Sequence, residues 1–228
     1  MFPLNRLLPF IGFGIALAYQ ADGATTLVNA STLNGSFENG SGNNTITSWA
    51  ASTTGGSMQR QNNYASNGGW SLLVAVDASN KSVDAALNTG YQLVSGDTFA
   101  LSFDSRGAFN ADNTDQVTWT LFYTSDNTLS GTRTTLYSGS QTLTGATGDA
   151  NTSPYNASGT LTTGAVDPSA AGKTLFLSFT PGSGIITNEF ARVDNVVLSV
   201  TSVPEPAAFA ALAATIPFLV VRRTRRSA

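Results

Sequence analysis

The stretch Ser95-Gly96-Asp97-Thr98-Phe99-Ala100-Leu101-Ser102-Phe103-Asp104 carries the period that decides the fold. A Ser-Gly-Asp turn signal leads into Phe99, Leu101 and Phe103 on alternate positions, with Ser102 and Asp104 between and after them. Successive side chains of a strand point to opposite faces, so this pattern predicts one face against a core and one polar face. The same period recurs outward along the chain. Val117, Trp119, Leu121 and Tyr123 alternate with Thr118 and Thr120; Leu175, Leu177 and Phe179 alternate around Ser178; Val196, Leu198 and Val200 close the series. Ser71 to Val76 is an almost continuous apolar run, suited to a strand near the centre of a sandwich. These segments are short, rich in β-branched and aromatic residues, and bounded by Gly, Asn, Asp and Ser. No central stretch has a helical apolar stripe with caps. Because each sheet must bury one apolar face against another layer, the expectation is an all-β sandwich. Polar loops are expected at about 39–48 and 138–158, and Trp119, in an alternating run, is expected in the core.

Composition narrows the chemistry. The chain has 228 residues with no cysteine and no histidine, and only 11% of it is charged. Disulfides, thiol nucleophiles, Cys-type zinc sites, Ser-His-Asp triads and the HExxH zinc helix are therefore excluded. Hard-cation sites built from oxygen remain open, as does carboxylate chemistry. Within residues 25–202, Asp+Glu outnumber Lys+Arg by 12 to 6, and no basic stripe is present, which argues against nucleic acid as a partner.

The two ends read as addresses. At the N-terminus, Arg6 precedes an apolar run from Leu7 to Tyr19 and small residues at Ala21, Gly23 and Ala24. This is the layout of a secretory signal peptide over residues 1–24, leading into a domain at 25–202. At the C-terminus, residues 203–228 hold Pro204-Glu205-Pro206, an apolar segment from Ala207 to Val221, and the cluster Arg222, Arg223, Arg225 and Arg226. The prolines enforce an extended segment, and the arginines would stay cytoplasmic by the positive-inside rule. This three-part order resembles the bacterial PEP-CTERM sorting tail. The resemblance implies recognition of Pro204, Glu205 and Pro206 by an exosortase, export through the secretion translocon, and transient anchoring in the inner membrane by a short sorting helix. It also implies delivery to the cell surface or extracellular matrix of a Gram-negative bacterium, in company with exopolysaccharide. The apolar segment departs from an ordinary span. It reaches only about 22 Å as a helix, against a hydrocarbon core of roughly 30 Å, and Pro217 interrupts it.

Three landmarks in order make the middle resemble a larger group. They are Asn34-Gly35-Ser36-Phe37-Glu38-Asn39-Gly40, then Gly69-Trp70-Ser71-Leu72-Leu73-Val74 with the turn-and-strand quoted first, and finally Val193-Asp194-Asn195-Val196-Val197-Leu198. The order is similar to that of the galactose-binding-like jelly roll, the fold of many non-catalytic carbohydrate-binding modules. The resemblance implies a structural calcium where the first and last strands meet, with Glu38 and Asp194 as its carboxylates. It also implies sugar stacking on exposed aromatics. Trp49 and Tyr64, in polar loop-like sequence, are the candidate platforms, with Arg106 as a polar partner. A carboxylate-dependent hydrolase would need two acids fixed across a cleft, and nothing in the sequence fixes such a pair. The expectation is therefore an exported, non-enzymatic surface or matrix protein, with a glycan-binding module as the first alternative and a secreted hydrolase as the second.

Overall fold

A computed structural model of the chain describes residues 23–52, 56–62, 64–144 and 155–203. Residues 1–22 of the stretch expected to be a signal peptide, the Pro-Glu-Pro motif, the expected sorting helix and the arginine cluster lie outside these residues. In chain order the strands are β1 (Thr25–Val28), β2 (Gly40–Ser41), β3 (Thr45–Ile46), β4 (Trp49–Ala50), β5 (Gln59–Asn62), β6 (Trp70–Val76), β7 (Ser82–Val83), β8 (Ala85–Gln92), β9 (Thr98–Phe109), β10 (Gln116–Thr124), β11 (Arg133–Thr142), β12 (Asn156–Ala157), β13 (Leu161–Thr162), β14 (Thr174–Pro181) and β15 (Glu189–Thr201). The single helical element among the described residues is a 3₁₀ turn at Pro168–Ala170, capped by the Asp167 side chain. Among the described residues, no helix is long and apolar enough to cross a membrane.

The strands form a jelly-roll β-sandwich. The larger sheet runs β12-β9-β15-β6-β5, with β1 added on β15, β13 on β9 and β7 on β6; the smaller runs β11-β10-β14-β8-β4. Every strand pairing is antiparallel. The period-two reading sets the inner faces. Phe99, Leu101 and Phe103 of β9 meet Val117, Trp119 and Leu121 of β10 and Leu175, Leu177 and Phe179 of β14 in one core. Phe103 and Phe179 bridge the sheets as an edge-to-face pair with centroids 5.0 Å apart, a geometry that aromatic quadrupoles favour.

The register also defines which residues face outward. In an antiparallel pair, directly opposite residues share a face. Asp194 stands opposite Asp104, Arg192 opposite Arg106, and Phe190 opposite Ala108 across β15 and β9; Arg192 also stands opposite Leu73 on β6. Since Ala191 and Val193 belong to the core, Phe190, Arg192 and Asp194 project from the outer face of the larger sheet. A bulge between Asp194 and Val197, with Asn195 at φ 50°, then shifts the register. Without it, the alternation could not bring both Val193 and Val196 inward.

Two loop expectations are corrected. The stretch expected as a loop from 138 is strand as far as Thr142, because β11 is an edge strand with few large apolar residues and gives little periodic signal. The loop expected at 39–48 contains the small hairpin of β2 and β3. β8, whose polar second half also hides its period, was not anticipated.

Candidate functional site

Tyr64 and Arg106 are brought together on the outer face of the larger sheet. Their neighbours are Arg192 and Tyr155, neither of which the sequence marked. β9 and β15 place the two arginines side by side. The loop between β5 and β6 carries Tyr64, and the segment entering β12 carries Tyr155. The Tyr64 carbonyl accepts from Arg106 Nη2 at 3.2 Å and from the Tyr155 hydroxyl. The Arg192 guanidinium lies 4.4 Å from the Tyr64 ring centroid, and that of Arg106 lies 4.7 Å from the Tyr155 ring and 6.0 Å from the Tyr64 ring. Both tyrosines are half-buried, so the arrangement is two rings held partly exposed over two buried cations. Each contact is a cation–π pair, favoured where water is excluded. Burial pushes the Tyr155 hydroxyl above its usual range. Burial, reinforced by Arg106 and opposed by the two tyrosines, pushes Arg192 down to about 10, so it remains a cation at neutral pH.

At one end of this cluster lies a carboxylate pair. Ser66 Oγ donates to Asp104 at 2.7 Å and Asp194 at 3.0 Å, and Asn195 Nδ2 reaches Asp104 at 3.4 Å. Asp194 is fully buried. It also accepts from the backbone N–H groups of Ser66 (2.7 Å), Asn67 (2.9 Å) and Asn195 (2.7 Å). Desolvation outweighs these donors and pushes Asp194 up to about 6. At the other end, Phe190 packs on Phe109 with centroids 4.7 Å apart, and Phe109 is 42% exposed.

Glu38 binds the far side of the same loop. One of its carboxylate oxygens accepts from the N–H groups of Gly69 and Trp70, both at 2.9 Å. Residues 66–70 are thus strapped between two carboxylates, Asp194 and Glu38. Gly68 makes the turn at φ +80°, against the Glu38 carboxylate. These two residues are the carboxylates expected to hold calcium. A calcium ion takes six to eight oxygens, whereas here both side chains are engaged by N–H donors. Among the described residues no group of three or more acidic side chains is placed to hold a metal ion.

Trp49 is corrected as a sugar platform. It is 5% exposed, packs on Phe37 (5.1 Å) and Phe179 (6.2 Å), and donates Nε1 to the carbonyls of Leu33 and Asn34. A polar neighbourhood in sequence concealed a tryptophan that shares the core face with Leu87, directly opposite it on β8. Trp119 is in the core as expected. Trp70 lies under Arg60, whose guanidinium sits 4.0 Å from its ring.

The sequence could have marked Arg192: Ala191 and Val193 face the core, so Arg192 and Asp194 share the opposite face. Tyr155 was not legible, because it sits in a Ser/Asn-rich stretch and reaches the site only through the long connection after β11.

No protein-family model matches the chain, and no curated protein sequence matches it. Solved structures do. The CBM22-1 xylan-binding domain of Paenibacillus barcinonensis Xyn10C superposes with a TM-score of 0.50 at 14% identity, covering 80% of this chain and 98% of that one. A cyclase from Fischerella sp. TAU gives 0.52 at 15% identity, covering 80% and 100%. The tandem CBM22-1-CBM22-2 domain of the same Xyn10C gives 0.51 at 15% identity, covering 81% and 49%. At these identities the likeness establishes the fold. A xylan-binding domain and a cyclase sharing it illustrate that function must be argued from the site.

Proposed function

We propose that the chain is a non-catalytic glycan-binding module whose site is the outer face of the larger sheet around Tyr64, Tyr155, Arg106 and Arg192. The observation that carries this reading is the pair of half-buried tyrosine side chains anchored over guanidinium groups. Sugar rings present C–H faces that rest on aromatic surfaces, while their hydroxyls need donors and acceptors fixed beforehand, so that little ordering is lost on binding. Asp104 and Ser66 supply such groups at one end, and Phe109 and Phe190 supply further apolar surface at the other. From Phe190 to Asp194 the strand advances about 13 Å at 3.3 Å per residue, room for more than one pyranose ring. The fold-level likeness to a xylan-binding domain supports the reading by analogy.

Asp104 and Asp194 are the nearest approach to a hydrolytic carboxylate pair, but Asp194 is buried and spends its oxygens on the N–H groups of Ser66, Asn67 and Asn195. Delivery belongs to the ends of the chain: a cleaved signal peptide, then sorting through Pro204, Glu205 and Pro206 to the cell surface or matrix. There, glycan binding would tie the protein to exopolysaccharide.

A glycan array followed by calorimetry tests the site. Specific binding should fall about tenfold or more in Tyr64→Ala and Tyr155→Ala, a loss typical of removing an aromatic anchor. Absence of any array ligand, or binding indifferent to both substitutions, would refute it. Release of reducing ends from a bound glycan would refute the non-catalytic part.

A further inference from the structure

The domain between residues 25 and 202 has six Lys+Arg: Arg60, Lys81, Arg106, Arg133, Lys173 and Arg192. Two of the six stand directly opposite one another, Arg106 on β9 and Arg192 on β15. Like charges at opposed positions destabilise a sheet, so such a pair calls for a reason. The remaining guanidiniums have structural work. Arg60 donates to the carbonyls of Gly42, Phe37 and Glu38, and Arg133 donates to the hydroxyl and carbonyl of Ser52.

Arg192 differs. It is 1% exposed, yet its Nε and Nη1 have no hydrogen-bond acceptor among the described residues. The nearest carboxylate along its own strand, Asp194, is occupied by Ser66, Asn67 and Asn195. A cation taken out of water without an acceptor is among the costliest arrangements a fold can hold. The Tyr64 ring offsets part of that cost; an anion would offset more, since a guanidinium's planar fork matches a carboxylate or sulfate oxyanion by two parallel N–H···O bonds. The half-buried rings of Tyr64 and Tyr155 cover the pair, so an anion would reach it only with those side chains turned aside.

We propose that this face selects an anionic saccharide, whose carboxylate or sulfate ester is bound by Arg192 and Arg106 while its ring rests on Tyr64 and Tyr155. The inference rests on the glycan-binding reading above and narrows its ligand class. The domain's excess of acidic residues repels a polyanion at long range, so selectivity must come from the local pair, and short probes are the right ones.

The test is calorimetric titration of the full chain with three probes: an oligouronate, the same oligosaccharide after reduction of its carboxyl groups, and a sulfated neutral oligosaccharide. The uronate, the sulfate ester or both should bind about tenfold or more tighter than the reduced, neutral probe, the gain expected of charge-assisted hydrogen bonds. Which of the two binds identifies the anion. Arg192→Gln and Arg106→Gln should each erase the preference. Equal affinity for charged and neutral probes would overturn the inference while leaving the glycan site standing. Failure of all three probes together with an empty array would remove both. If Arg192→Gln fails to fold by circular dichroism, the wild-type comparison of charged and neutral probes still decides.

Discussion

Two aromatic residues that look alike in sequence have opposite consequences. Trp49→Ala removes an indole packed between Phe37 and Phe179. It should cost about 3–5 kcal/mol, the range for a large buried aromatic, read as a shift in the urea midpoint. Tyr64→Ala removes a half-buried side chain and should change stability far less while removing ligand binding. Asp194 sets a pH dependence. Its folded pKa of about 6 lies above the ordinary aspartate value near 3.9. The folded state therefore holds the proton more tightly, and the sign follows by linkage. The contribution is complete below the unfolded pKa and is lost as pH rises through 6. The groups around it are Asp104, Arg106, Arg192 and Tyr155. Thermal unfolding between pH 4 and 7 should show stability falling by on the order of 2–3 kcal/mol from this group, with a carboxyl ¹³C titration midpoint near 6. A midpoint near 4 would show that its four hydrogen-bond donors, not burial, govern it.

At the scale of elements, the loop 66–70 and the β15 bulge act together. The bulge places Asp194 on the outer face and Val196 in the core, and the loop is then fastened by Asp194 at Ser66 and Asn67 and by Glu38 at Gly69 and Trp70. Gly68 is required there, since its φ of +80° and the Glu38 carboxylate leave no place for a side chain. Gly68→Ala should destabilise by roughly 1–3 kcal/mol, the cost of strained backbone, measured by chemical denaturation. Because N–H groups engage the two carboxylates, the strap needs no metal. The melting temperature should be the same in EDTA as in millimolar calcium, and a clear rise with calcium would restore the metal reading by mass action. The Glu38 and Asp194 motifs were visible in sequence, but their partners were not, because the residues that meet are 31 to 128 positions apart. β11 was missed for a related reason: an edge strand with one face in water need not alternate apolar residues.

At the scale of the whole molecule, an acidic sandwich carries its two opposed arginines on one sheet face, and the two ends of the chain are proposed as addresses. Sorting and binding are separable. Glu205→Ala should leave an unprocessed form in the membrane fraction and leave glycan affinity unchanged, since Glu205 belongs to the tail; unaltered processing by mass spectrometry would sink the sorting mechanism. The sequence by itself determined the all-β class, the inner faces of β9, β10, β14 and β15, and the closure of Cys- and His-based chemistry. These follow from period and composition, which are local quantities. Only the tertiary structure decided which aromatics face solvent and which residues meet. Trp49 faces inward through its register with Leu87, Tyr155 meets Tyr64 from 91 positions away, and Arg192 meets Arg106 through strand register. Such juxtapositions depend on which strands pair and in what register. Those choices are made by the energy of the assembled sandwich and are not carried by any single stretch of chain.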